Sequence, residues 1–322
     1  MKILKAIFIV IVNILLIIAL FFFTDYCVYK YNAHIFYLNH PKIFEINKFK
    51  YMPWFPEYFY HLETYFNGKN NIYFGRLPDG LEYKDKLPVL LFGCSYAFGQ
   101  HLEPNQIFSR KLSQQLKRPV HNRGISGGSF QHLYMQSISE ELYKTVPQTD
   151  TVIYIMISDH YRRTKLQYFD ILDYHAYPHF EIKDNELIMS DYKSDIKNFL
   201  RSLYIVKQLN HIYADKTVNN PDNAEMLTNE ALLYFIKSRE ELQKHYGKNF
   251  KFYIIFYEDW DIAYSEIMRK KLEDNGFIVV STKDLTDVNL KIPKYTMQDN
   301  NHPTEEAWNL LTPLIIKKLG LK

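Results

Sequence analysis

The sequence predicts an α/β protein, a three-layer α/β/α sandwich around a parallel sheet, preceded by one N-terminal transmembrane helix. Two observations carry this. From Pro88 onward, short apolar runs alternate with longer amphipathic ones, the pattern of a parallel sheet covered on both faces. Before that, Ala6 to Phe23 is apolar throughout except for Asn13.

The N-terminal run comes first. Eighteen helical residues rise about 27 Å, close to the roughly 30 Å hydrocarbon core of a bilayer. Lys2 and Lys5 precede the run and Asp25 follows it, so the positive-inside rule puts the N-terminus in the cytoplasm. Tyr26, Tyr29 and Tyr31 stand where an interfacial aromatic belt would lie. Phe23-Thr24-Asp25-Tyr26-Cys27 offers no small-x-small cleavage site, which favours a retained signal anchor over a cleaved leader. The expected organisation is an anchor over 1–24 (membrane contact through 6–23), an aromatic lead-in over 25–87, and an exported domain over 88–322.

Composition narrows the classes. About 295 residues remain after the anchor, which is one large domain or one domain with insertions. The 47% hydrophobic fraction supports a substantial core, and 39 basic against 36 acidic residues give +3, no footprint for nucleic acid. Cys27 and Cys94 make no disulfide framework. Aromatic residues reach 16% of the chain, and no cofactor or metal motif is present. His175 and His179 are four apart, but Pro178 between them argues against a helical metal pair.

Expected strands are Val89–Phe92, Val120–Arg123, Thr151–Ile157, Phe252–Tyr257 and Phe277–Ser281. Expected helices are Pro104–Leu116, Phe130–Lys144, Asn229–Tyr246, Ala263–Asn275 and Thr304–Leu319. From Tyr161 to about Asn223 the rhythm breaks, and this stretch reads as an insertion. Ligands of such sheets bind outside the carboxyl ends of the strands. Ser95 follows one such end; Ser126-Gly127-Gly128 and Ser158-Asp159-His160 follow two others.

Chemistry concentrates at those ends. A serine hydroxyl becomes nucleophilic when a base takes its proton, and imidazole is suited to that near neutral pH. The imidazole needs a carboxylate to fix its tautomer. Asp299 and His302, three apart, are placed to be orienter and base for Ser95. Gly127 and Gly128 allow backbone N–H groups to approach an oxyanion. The plainer roles are a helix-capping Ser95, capping by Asp299 and Asn301, an ordinary Gly127-Gly128 turn, and a salt-bridged cluster of Asp159, His160, Arg162 and Arg163. Cys94 is the rival nucleophile, read as a small buried residue.

The ordered segments Gly93-Cys94-Ser95-Tyr96-Ala97-Phe98-Gly99, Asn122-Arg123-Gly124-Ile125-Ser126-Gly127-Gly128 and Asp299-Asn300-Asn301-His302-Pro303 resemble the motif blocks of the SGNH (GDSL-type) hydrolases, membrane-anchored exported bacterial members above all. The likeness covers roughly residues 88–322. It implies a flavodoxin-like sheet, a Ser95–His302–Asp299 triad, and an oxyanion hole from the amides of Ser95 and Gly127. Two departures stand out. Cys94 replaces the usual Asp, and Met156-Ile157-Ser158-Asp159 lacks the usual Gly-x-Asn-Asp, so Ser158 stands at the position of an oxyanion-donating Asn. Losing such a donor costs about 2.7–4 kcal/mol of barrier, and His160 or Arg162 are the nearby side chains to contact substrate instead. The implied activity is a serine-dependent esterase or O-acyltransferase, its partner an acylated small molecule or surface glycan, its place the inner membrane facing outward. The alternative is a non-catalytic glycan-binding or scaffold domain of the same fold.

Overall fold

The computed structural model describes residues 10–24, 27, 78–166, 169–170, 175–176, 180–189, 204–257, 264–297 and 302–322. Most of the aromatic lead-in, residues 6–9 of the expected membrane run, and Asp299 lie outside the described residues. Residues 10–24 form a helix (α1), with Ile14, Leu15, Leu16, Ile17 and Phe23 exposed. Among the described residues no helix is long and apolar enough to cross a membrane.

Five parallel strands form the main sheet: β1 (Val89–Gly93), β2 (Val120–Asn122), β3 (Thr151–Met156), β8 (Lys251–Phe256) and β9 (Ile278–Ser281). Their spatial order is β2-β1-β3-β8-β9, which counted along the sheet strands alone is the doubly wound 2-1-3-4-5 order. Each expected strand is present within one residue at either end. They were legible because the central strands are buried on both faces; every residue of β1 and β3 is buried.

Alternate residues feed two cores. Leu90, Phe92, Val152, Tyr154, Ile254 and Phe256 pack on one face under α4 (Phe130–Ser137), α8 (Ala224–Tyr246) and α9 (Ser265–Asp274). Val89, Leu91, Ile153, Ile155 and Ile255 pack on the other under α3 (Phe108–Leu116) and α10 (Glu305–Leu319), where Trp308 is fully buried against Phe108 and Tyr257.

The helix expected over Phe130–Lys144 is in fact two, α4 and α5 (Glu140–Thr145). Ser137 turns its hydroxyl back onto the Leu133 carbonyl at 2.8 Å, and Ser139 takes extended backbone (φ −83°, ψ 122°) to start a second helix with Glu140 and Glu141 in its first turn. A serine there offers the chain an alternative to continued helix, although Leu133, Ile138 and Leu142 keep the apolar spacing. The insertion contains an antiparallel pair, β6 (Phe180–Lys183) with β7 (Glu186–Met189), a short pair β4 (Phe169–Asp170) with β5 (His175–Ala176), and α7 (Tyr204–Val218). Two further helices were not expected: α2 (Ser95–Phe98) and α6 (Asp159–Lys165), which sit directly after β1 and β3.

Candidate active site

β1 and β3 are the neighbours at which the winding of the sheet reverses direction, and the crevice outside their carboxyl ends is where ligands of such sheets bind. Ser95 stands there. The turn that delivers it begins at Gly93, whose φ of 146° only glycine adopts readily. A Cβ at that position would lie 2.8 Å from the Ala97 Cβ and 2.9 Å from the Ile155 carbonyl oxygen. Cys94 is extended and fully buried, and Ser95 opens the single turn of α2. At a first helical position the Ser95 N–H has no intrahelical acceptor.

The second segment is bolted to this turn. Asn122, at the end of β2, donates to the Ala97 carbonyl at 2.7 Å and the Ser109 hydroxyl at 3.0 Å, and accepts from the Gly124 N–H at 3.0 Å. Gly124 presses on α2 so closely that a Cβ there would sit 2.3 Å from the Phe98 backbone nitrogen. Ile125 to Gly128 then form a tight turn closed by the Gly128 N–H donating to the Ile125 carbonyl at 2.8 Å. Gly127 takes φ 72° at its third position, where a type II turn requires glycine. The Ile125 N–H donates to the Gly93 carbonyl at 3.0 Å, and the Ser126 hydroxyl meets Gln100 Oε1 at 2.6 Å.

His302 comes from the far end of the chain. The described residues on either side of 298–301 are paired: the Met297 N–H donates to the His302 carbonyl at 2.8 Å and the Thr304 N–H to the Tyr295 carbonyl at 3.0 Å. Thr304 caps α10 by accepting from the Ala307 N–H, whereas Asp299 and Asn301, the expected caps, lie outside the described residues. His302 Nε2 lies 2.8 Å from Ser95 Oγ, a hydrogen bond in which the hydroxyl donates when Nε2 is unprotonated. Tyr96 and His101 flank the imidazole, with ring centroids 5.5 and 5.1 Å away. The structure therefore unites Ser95 and His302, while Asp299 lies outside the described residues.

Ser95 is buried, while Gln100, His101, Ser126, Gly127, Ser158 and His302 are partly exposed. Ser158 has helical backbone (φ −59°, ψ −35°) immediately before α6.

His160 requires correction. Expected as a substrate contact, it is fully buried, with Nδ1 2.9 Å from the Tyr154 hydroxyl and its ring edge-on to Phe130. One helical turn after Ser158 points it into the core. Arg162 is held instead by Asp159, at 2.5 and 3.0 Å, and by His211 Nδ1 at 2.9 Å, so the salt-bridged cluster of the plainer reading is present without His160. Asp159 also accepts from Arg163 Nε at 2.6 Å. Burial alone would raise the Asp159 carboxyl, but Arg163 and Arg162 outweigh it and hold the group well below the usual carboxylate range. Cys94 is pushed up by burial, against the opposing pull of Arg163, so its thiol stays protonated. Among the described residues no group of three His, Cys, Asp or Glu side chains is placed to hold a metal ion.

Sequence reasoning assigned no role to Asn122, Tyr96 or His101. Asn122 had a signal, its place two residues before Gly124 at a strand end. The ring that Tyr96 and His101 share as a partner, His302, arrives from beyond residue 300, which local pattern cannot show.

Buried histidines give the fold an acid limit. Burial holds His160 well below the ordinary 6.5, and burial with help from Arg123 lowers His121 to about 4. Both are neutral in the native state, whereas the unfolded chain takes up protons as pH falls through 6.5. Stability should therefore drop as pH falls below about 6.5, by on the order of 1 kcal/mol per pH unit for each histidine. Urea midpoints at pH 7 and pH 5 check this. His160→Gln should flatten part of the decline, and a midpoint unchanged between the two pH values would refute it.

No family model matches the chain, and no curated protein matches it. Solved structures similar to it include a lipase from a goat rumen metagenome, at 12% identity over 73% of this chain and 98% of the other, with a TM-score of 0.45. A member of the lipolytic G-D-S-L family from Veillonella parvula is 10% identical over 72% of this chain and 97% of its own, TM-score 0.41. An acetylxylan esterase from Geobacillus stearothermophilus is 13% identical over 73% and 94%, TM-score 0.37. Likenesses this distant leave the reading of function to the side chains of the site.

Proposed function

We propose that the protein is an SGNH-type serine esterase or O-acyltransferase. The observation that carries this is the 2.8 Å contact between Ser95 Oγ and His302 Nε2, made across 207 residues of sequence at the switch point of the sheet. A capping serine and a surface histidine have no reason to meet there.

In this reading His302 takes the Ser95 proton as the hydroxyl oxygen attacks an ester carbonyl. Asp299 orients the imidazole from the Nδ1 side and stabilises the imidazolium. The amides of Ser95 and Gly127 hold the oxyanion, with the Ser158 hydroxyl as a shorter substitute for the usual Asn. His302 then returns its proton to the leaving alkoxide, giving an acyl-Ser95 intermediate. Water as second acceptor makes the protein an esterase; a sugar hydroxyl makes it an O-acyltransferase. Cys94 does not compete, since its protonated thiol is buried.

The substrate class we infer is acyl esters, acetyl first, on polysaccharide of the cell envelope. The apolar run over residues 6–23 and the lysines before it support an anchored protein whose site lies outside the cytoplasm.

Labelling residues 25–322 with a fluorophosphonate probe and mapping the adduct by mass spectrometry tests the chemistry. The adduct is expected on Ser95. An adduct on Cys94 overturns the assignment, and an unlabelled, folded protein leaves the non-catalytic binding domain as the reading.

A further inference from the structure

The turn that presents Gly127 is tethered on two sides by contacts already described, the Gly93 carbonyl before it and Gln100 beside it. Its exit is held from a third side. Arg163 Nη1 donates to the Gly128 carbonyl at 3.0 Å, while Nε of the same guanidinium donates to Asp159 at 2.6 Å. Arg163 lies on α6, the helix that Ser158 leads, and only 14% of its side chain is exposed. Its charge also acts on Cys94, the residue before the nucleophile. One planar cation thus joins the turn that presents Gly127 to the helix that Ser158 leads, and its charge reaches the residue before Ser95.

We propose that Arg163 is a positioning residue for the oxyanion hole, fixing the Gly127 amide relative to Ser158 and Ser95. This rests on the acyl-transfer reading above. Arginine suits the task because its rigid fork serves a carboxylate and a carbonyl at once, which a lysine ammonium on a flexible stem does not reproduce. Asp159 keeps the fork in place. An oxyanion donor displaced by about 1 Å costs on the order of 10²-fold in rate, so the turn needs such a support. The need is greater where Ser158 replaces a longer donor.

Hydrolysis of p-nitrophenyl acetate separates this role from plain stabilisation. Arg163→Lys should lower kcat about 10–100-fold with KM within about threefold, because the oxyanion contact strengthens only in the transition state. Arg163→Gly should lose as much and regain part of it when guanidinium ion is added well below denaturing concentrations. Should either variant fold poorly, Asp159→Asn keeps the guanidinium but frees its anchor, and kcat should fall in the same direction. If wild type turns over through Ser95 while folded Arg163→Lys keeps its kcat, or changes KM alone, the inference fails and the acyl-transfer reading stands. If wild type is inert, both fail together.

Discussion

Ser95→Ala should remove turnover of p-nitrophenyl acetate, lowering kcat by on the order of 10³–10⁶ with little change in KM. His302→Ala should cost nearly as much, and the double variant hardly more than either alone. The reason is the single hydrogen bond that joins them. A hydroxyl without its base and a base without its hydroxyl are equally idle, so the two losses describe one event. Additive losses would mean that the side chains act separately, and the contact would then be packing rather than proton transfer. Thermal midpoints should move little, since the Ser95 side chain is small and His302 is half-exposed. A variant that loses activity together with several degrees of stability does not count in favour.

Gly124→Ala should damage both stability and activity, an unusual pairing for the addition of one methyl group. The new Cβ would lie 2.3 Å from the Phe98 nitrogen and 2.8 Å from the Ala97 carbonyl carbon, both backbone atoms of the turn that Ser95 opens. Neither can yield by rotating a side chain. Overpacking of this kind costs about 1–3 kcal/mol or more, which lowers the midpoint by roughly 2–4 °C per kcal/mol in a domain of this size. Because the displaced segment carries Ser95, kcat should fall as well. Differential scanning calorimetry beside the acetate assay checks it; a variant with native midpoint and native kcat would show that the two loops are less tightly joined than described.

The sheet was readable because strands buried on both faces must be apolar end to end, as Val89-Leu90-Leu91-Phe92 and Thr151–Met156 are. The helices behind it were readable wherever one face was apolar. What escaped was decided by polar side chains. Asp159–Lys165 reads as a charged loop until Asp159 is seen near the N-terminus of its helix, bonded to arginines three and four residues on. Ser139 ends one helix run and begins another without disturbing the apolar spacing. At the site, Ser95 and His302 could be paired from sequence because their chemistry demands a partner. His160 was misplaced because one helical turn decides whether a side chain faces the site or the core, and no pattern in Ser158-Asp159-His160 reveals where that turn begins.

On the acyl-transfer reading, the long reach between Ser95 and His302 also sets a time at which the protein becomes active. Ribosomes release a chain from its N-terminus, so the nucleophile emerges some two hundred residues before its base. His302 stands just before α10, whose Trp308, Leu311 and Ile315 close one face of the core. Closing that core and switching on the serine are therefore one event. A chain that is unfinished or clipped before residue 302 carries Ser95 without His302, a hydroxyl of ordinary reactivity.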